Sequence, residues 1–325
     1  MELKKLLTGL SNGAFIGNID TVKPIVDEFL GLETKKDKNN NLYAFKDNGK
    51  QKTLLLEAHI DEIGFIITDI VDGFLRVEAV GGIDARILSG QPVRFFGKNA
   101  EIKGVFCSTP PHLKGKEEKS FDIKNMAVDT GLKKAKEYLS LGDFGVFDVA
   151  ALPLKEDRLT GKALDNRAGV AAVLTAFKNA KANYNLALML SSGEELGCRG
   201  AIPGAFKIAP DFAVAVDVSF GETPGVPEYK TAKLGSGAMV GISPILSEEV
   251  TNKLLQLSNN NGTTEIMGGR TGTNSDVISI SKNGVKTGLV SIPLKNMHTP
   301  VEIIDVKDVK AVADLIIEFL ESEVL

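Results

Sequence analysis

Cysteine, histidine and long apolar runs are all scarce in this sequence, and each scarcity narrows the possibilities. Only Cys107 and Cys198 occur among 325 residues. They lie far apart, so no disulfide framework is expected and a reducing compartment is the simpler setting. No stretch approaches the roughly 18 uninterrupted apolar residues of a membrane span. The opening Met-Glu-Leu-Lys-Lys-Leu-Leu mixes acid, base and leucine too closely for a secretory apolar region. Neither sign of charge dominates: 38 basic and 42 acidic residues leave a net charge of −4, which offers no footprint for nucleic acid. The expectation is a cytoplasmic protein with neither a membrane nor a nucleic-acid partner. There are three histidines in all, so a site using two of them uses most of the supply.

What is present is apolar material in two textures. The chain is 43% hydrophobic, enough for one large or two modest domains at roughly 100–200 residues each. Val22, Ile25, Val26, Phe29 and Leu30 recur at helical intervals. Leu54, Leu55 and Leu56 read as a buried strand running into Glu57-Ala58-His59. From 64 to 154 short strand-like runs follow one another (65–71, 75–80, 93–96, 102–107, 146–150), with Asp72-Gly73 as a hairpin turn and a helical stretch at 131–139. That spacing suggests a small β-barrel or sandwich. After Lys155 the texture is α/β: a helix over 169–177, strands over 186–190, 212–216 and 285–292, and an amphipathic helix over 306–320. The polar run 258–264 reads as an exposed loop. The fold class is therefore α/β, a mostly parallel sheet with helices on both faces. Residues 1–63 and 155–325 would form one domain, with the β-rich stretch 64–154 inserted between them.

Five places put metal-binding side chains at the edges of such elements: His59 with Asp61, Asp165, Glu194 with Glu195, Asp217, and His298. In open α/β sheets, sites gather beyond the carboxyl ends of strands. His59 and Asp61, two apart in an extended segment, face the same side, so the carboxylate can orient the imidazole. Glu194 and Glu195 are adjacent and point different ways, so one can bind metal while the other acts as a base. Each also has a bland reading: a charged loop, a solvated acidic turn, a helix cap at Asp165, a salt-bridged acid at Asp217, a structural histidine at 298. His112, in Pro-Pro-His-Leu, has no metal-binding neighbours in sequence and reads as structural. Jointly, mixed imidazole and carboxylate donors suit zinc, cobalt or manganese, and a carboxylate shared by two ions is a known hydrolytic arrangement.

At these residues the sequence resembles the tetrahedral, or glutamyl/deblocking, aminopeptidases. The matching stretches are H-I-D-E-I-G-F at 59–65, P-P-H-L at 110–113, G-K-A-L-D-N-R-A-G at 161–169, E-E-L-G-C-R-G-A at 194–201, D-V-S at 217–219 and M-H-T-P-V-E at 297–302. The resemblance implies two divalent ions bridged by Asp165, one completed by His59 and Asp217, the other by Glu195 and His298. It implies Glu194 as general base and Asp61 as the carboxylate supporting His59. It also implies peptide substrates, and homo-oligomers in which the inserted module forms dimers that build a tetrahedral dodecamer. Three stretches depart from the family pattern. Lys295-Asn296 replaces an Arg-Tyr pair, 271–276 replaces Gly-Gly-Thr-Asp, and no Ser-Gly-Phe-Glu is evident around 11–17. The departures bear on substrate preference and assembly contacts and leave the metal-binding positions intact.

The chemistry so implied is hydrolysis by an activated water, with Glu194 moving the proton. Removal of an acyl group from an amino acid is the nearest alternative. A glycosidase would need two carboxylates flanking a sugar rather than histidine ligands. A silent scaffold would lack a ligand or the base, and neither is missing.

Overall fold

Leu54, Leu55 and Leu56 are buried on both sides of the chain, as a strand covered on both faces requires. In the computed structural model, which describes residues 2–108, 112, 122–258 and 262–323, they lie in the strand Thr53–His59, inside an 11-stranded mixed sheet. That strand runs parallel to Asn185–Ser191 on one side and to Phe212–Phe220 on the other. Phe212–Phe220 in turn runs parallel to Lys286–Lys295. These four parallel strands are extended by antiparallel neighbours, Leu42–Lys46 and Lys35–Lys36 at one end. Glu302–Asp305, Arg158–Gly161 and Leu152–Pro153 extend the other end. Ala238–Ile242 branches from Lys286–Lys295 and carries Gly262–Ile266 in parallel.

Helices cover both faces. Leu164–Asn179 and Val306–Glu321 pack on one of them, burying Ala168, Ala171, Val173, Val312 and Ile316 against Leu56, Val214 and Val290. The run of alanines lets the first helix lie close to the sheet. Asp305 caps the second, its side chain accepting from the Lys307 N–H at 2.9 Å. On the opposite face, Ala201–Ile208 packs against Ala187, Met189 and Ala213. None of the helices among the described residues is long and apolar enough to cross a membrane.

Between Gly64 and Phe147 the alternating strands bury a core of their own. Val128–Asp129, Phe74–Val80, Gly64–Val71, Phe144–Phe147, Pro92–Phe96 and Glu101–Phe106 pair in that order and close into a barrel. Phe65 sits at its centre, edge-on to Phe106 and Phe147 at 5.0 and 5.1 Å. Gly145 is needed there, because a Cβ would fall 2.5 Å from the Phe95 ring.

Two expectations are corrected. The helix over 131–139 shrinks to one 3₁₀ turn, Ala135–Glu137; within that stretch Ala135 and Leu139 are buried in the barrel core and Leu132 packs against it. The run 258–264 is not simply a loop: the helix Glu248–Ser258 ends in it and the strand Gly262–Ile266 begins in it. That strand pairs along one edge only, so its polar residues never produced an apolar alternation. The expectation for Pro110-Pro111-His112-Leu113 falls outside the described residues except at His112, which is exposed.

Candidate metal centre

Parallel pairing brings strand ends together, and with them the candidate side chains. His59 closes its strand. Asp217 lies in the neighbouring strand, past the last residue that pairs with the His59 strand. Asp165 enters from the start of the Leu164–Asn179 helix, through a cis Asp165–Asn166 peptide. Asn166 fixes that entry by donating to Val216 O at 2.7 Å and accepting from Gly169 N–H at 3.0 Å. Glu194 and Glu195 occupy the turn after Asn185–Ser191, and His298 the turn after Lys286–Lys295.

Asp165 faces both ways. Its Oδ1 lies 3.1 Å from His59 Nε2, and its Oδ2 lies 3.5 Å from His298 Nε2. Asp217 Oδ1 stands 3.7 Å from the same His59 nitrogen, and Glu195 Oε1 stands 3.5 Å from His298 Nε2. Two triads thus share one carboxylate: His59, Asp165 and Asp217, and Asp165, Glu195 and His298. In each, one ligand atom per residue lies within 4.8 Å of the others, and a third such group joins Glu194 to His59 and Glu195. All five residues expected from sequence to bind metal are brought together, and Glu194 and Asp61 stand with them.

The charge balance asks for a cation. Asp61, Asp165, Glu194, Glu195, Asp217 and Glu302 crowd around two imidazoles. Burial, then the charge of Asp165, pushes the Glu195 carboxyl up to about 8. Burial likewise holds Asp217 and Glu302 well above the usual carboxylate range, with Asp165 adding to both. Burial alone would depress the His59 imidazole. Asp165, Asp61, Asp217 and Glu194 outweigh it and hold His59 well above its ordinary value. A divalent ion relieves all of these conflicts at once, because it supplies the charge that the carboxylates lack.

Supporting groups aim the donors. Asp61 accepts from the backbone N–H of Glu194 at 3.2 Å and of Glu195 at 3.3 Å, so it holds the turn carrying both acids. Its contact with His59 Nδ1 is longer, 3.5 Å, and leaves that buried nitrogen without a hydrogen bond. Glu302 does the corresponding work on the other side: Oε2 accepts from Asp165 N–H and Oε1 from His298 N–H, both at 3.0 Å. This tether holds His298 in the left-handed region, at φ 61°. The barrel contributes too. His298 Nδ1 donates to Gly82 O at 2.8 Å; a carbonyl only accepts, so the proton is on Nδ1 and Nε2 is free to ligate. Below the centre, Glu62 pairs with Lys162 Nζ at 2.6 Å and Arg167 at 3.3 Å. All three are buried, and burial lowers Lys162 to about 8.

Glu302, Gly82 and the Glu62 pair were not singled out from sequence. Glu302 stood inside the quoted M-H-T-P-V-E stretch, but nothing in one sequence says that a carboxylate accepts two backbone N–H groups. Gly82 acts through its carbonyl, which every residue has. The glycine is still specific, since a Cβ there would fall 2.9 Å from His298 Nδ1. Gly82→Ala is expected to push the imidazole aside and weaken metal retention about 10- to 100-fold. Titration with a metal-sensitive dye would read this, and an unchanged affinity would remove Gly82 from the support of His298.

The M42 glutamyl aminopeptidase family model matches residues 40–315. The chain is 30% identical over 342 aligned positions to a lysyl aminopeptidase of Pyrococcus furiosus, covering 98% of this chain and 96% of that protein. Its fold is similar to that of an aminopeptidase from the archaeon Desulfurococcus kamchatkensis, with TM-score 0.90, 28% identity and coverage of 98% and 94%. It is also similar to the Pyrococcus horikoshii TET1 peptidase, which can assemble into a tetrahedron or a large octahedral shell. That match has TM-score 0.86, 26% identity and coverage of 99% and 100%. The sequence match over most of the chain, on a fold shared with solved aminopeptidases, shows that this chain belongs to the M42 glutamyl aminopeptidase family.

Proposed function

We propose that this aminopeptidase uses two divalent ions per subunit, with His59, Asp165 and Asp217 holding one and Asp165, Glu195 and His298 the other. The observation that carries the reading is the pair of Asp165 oxygens, each facing a different histidine at 3.1 and 3.5 Å. Zinc is the first choice, and the same nitrogen and oxygen donors suit cobalt or manganese. When bound, such ions lower the pKa of water and polarise a carbonyl. Glu194 removes a proton from the attacking water and returns it to the leaving amine. Burial raises its carboxyl, towards the range where a base both accepts and releases protons. Asp61 holds the Glu194–Glu195 turn in place. The acidic surroundings receive the free α-amino group of a peptide, which restricts cleavage to its amino-terminal residue.

The barrel strands run from Gly64 to Phe147 and Leu152–Pro153 already belong to the large sheet, so the module expected over 64–154 is drawn in to about 64–147 and read as a dimerisation module inserted between the two parts of a catalytic domain. Val71, Phe74, Val105, Tyr138 and Leu141 are exposed on that module, as a surface awaiting a second copy would be. The likeness to the TET1 peptidase supports assembly of such dimers into a tetrahedral dodecamer, which light scattering would weigh. The scarcity of cysteine supports a cytoplasmic location.

The test of activity is a panel of aminoacyl p-nitroanilides and N-acetyl amino acids, assayed on metal-stripped protein with zinc, cobalt or manganese restored singly. Free-amine substrates should be cleaved and N-acetyl ones left intact, with activity returning only on metal addition. Cleavage confined to the N-acetyl compounds would make the protein a deacylase.

A further inference from the structure

We propose that Asn274, held by Glu57 and Ser191, is a positioning residue for the base Glu194. The inference rests on the aminopeptidase reading with Glu194 as general base, and adds what keeps that carboxylate in place.

Three buried side chains meet beside His59. Glu57 lies two before His59 on one strand, so the two share a face. Ser191 pairs with His59 from the neighbouring parallel strand and stands on the same face. Asn274 reaches them from the start of the short helix Ser275–Ile278. Ser191 Oγ donates to Glu57 Oε1 at 2.6 Å. Asn274 Nδ2 donates to that same oxygen and to Ser191 Oγ, both at 2.8 Å. All three residues are buried. An asparagine ahead of a helix ordinarily caps it through its side-chain oxygen. Asn274 makes no such bond, and its Oδ1 has no partner among the described residues. Its side chain is committed to the Glu57–Ser191 pair.

That anchor places the stretch 271–276, which is braced within itself. The hydroxyls of Thr271, Thr273 and Ser275 bond one another at 3.0, 2.8 and 2.8 Å. Thr271 Oγ1 also donates to Asp276 Oδ1 at 2.6 Å. A segment so braced moves as one piece with Asn274. Its Thr273 carbonyl faces Cys198: the thiol sulfur lies 3.8 Å from Thr273 O and 3.9 Å from Glu194 Oε1. The thiol thus fills the space between the anchored segment and the base. It is a weak donor with one proton and two acceptors beside it. With Thr273 O in place, that proton has an acceptor other than Glu194, and Oε1 stays open to the attacking water. The packed sulfur also stops the Glu194 side chain from swinging towards 271–276. Displacing a reacting group by about 1 Å costs up to about 10²-fold in rate, so the anchor acts on turnover through Glu194.

The experiment uses the intact, metal-loaded protein and the aminoacyl p-nitroanilide that the wild type cleaves fastest, with Glu194→Gln as the benchmark. Asn274→Asp sets a second carboxylate against Glu57. It should lower kcat about 10- to 100-fold at unchanged metal content, with KM held within about twofold. Iodoacetamide should alkylate Cys198 at least about threefold faster in that variant, read by mass spectrometry of its peptide, because the covering segment lifts away. The double variant Glu57→Gln/Asn274→Asp exchanges amide and carboxylate. It should recover kcat to within about threefold of the wild type, as coupled partners do. A role confined to folding would neither separate kcat from KM nor be repaired by the exchange. Should Asn274→Asp fail to fold, Asn274→Ala removes the donor without adding charge and is read by the same split. An unchanged kcat, a loss accounted for by missing metal, a rise in KM alone, an unchanged alkylation rate or an exchange variant no faster than Asn274→Asp overturns the positioning role. If Glu194→Gln keeps full turnover, the base assignment falls and this inference with it. If Glu194→Gln is inactive while Asn274→Asp turns over normally, this inference falls alone.

Discussion

Glu194→Gln is expected to keep both divalent ions and to lose about 10²- to 10⁴-fold in kcat. The glutamine matches glutamate in size, and the bond that fixes the turn is unaffected, since Asp61 accepts from the backbone N–H of residue 194 rather than from its side chain. What disappears is an oxygen able to take a proton. Glu194 lies near enough to His59 and Glu195 to face the same centre. The two triads sharing Asp165 are complete without it, and metal content should not change. Elemental analysis and a kcat measurement on the same sample make the test. Full turnover in the variant would sink the general-base assignment. Loss of metal would turn Glu194 into a ligand.

Asp165→Ala is expected to do the reverse, emptying the site of both ions and abolishing activity through that loss. Among the described residues, only Asp165 places carboxylate oxygens within 4 Å of both histidine rings. The two triads pass through its two oxygens. A second readout follows from electrostatics. Asp165 raises the proton affinity of Glu195, Asp217 and Glu302, so its removal relieves like-charge crowding in the metal-free protein. The wild type should gain thermal stability steeply with added metal, because a ligand that binds only the folded state stabilises by RT ln(1 + [L]/Kd). The variant's melting temperature should stay flat over the same titration. A variant that still binds two ions per subunit would show that the bridge lies elsewhere.

Much of this site could be read before any coordinates. Each of His59, Asp165, Glu195, Asp217 and His298 had an ordinary reading on its own; what singled them out was their joint placement at element edges and the resemblance to one family. The adjacency of Glu194 and Glu195 signalled divided labour. Elements with strong apolar periodicity, such as Val306–Glu321 and Thr53–His59, were legible too. The stretches read wrongly had no such periodicity. Gly262–Ile266 is a polar strand paired along a single edge, and Ala135–Glu137 makes one turn with one buried residue.

The sequence by itself determined the donor chemistry, the α/β texture after residue 155 and the β-rich texture before it, because these follow from side-chain type and local spacing. Only the tertiary structure decided how the donors are aimed. Glu302 clamps two backbone N–H groups 137 and 4 residues away along the chain. The Gly82 carbonyl selects the ring nitrogen of a histidine 216 residues distant. Glu265 meets Ser219 and Ser291 only because four strands share a register. Those contacts join backbone atoms and residues far apart in the chain, and a single sequence records neither the direction of a carbonyl nor which strands will pair.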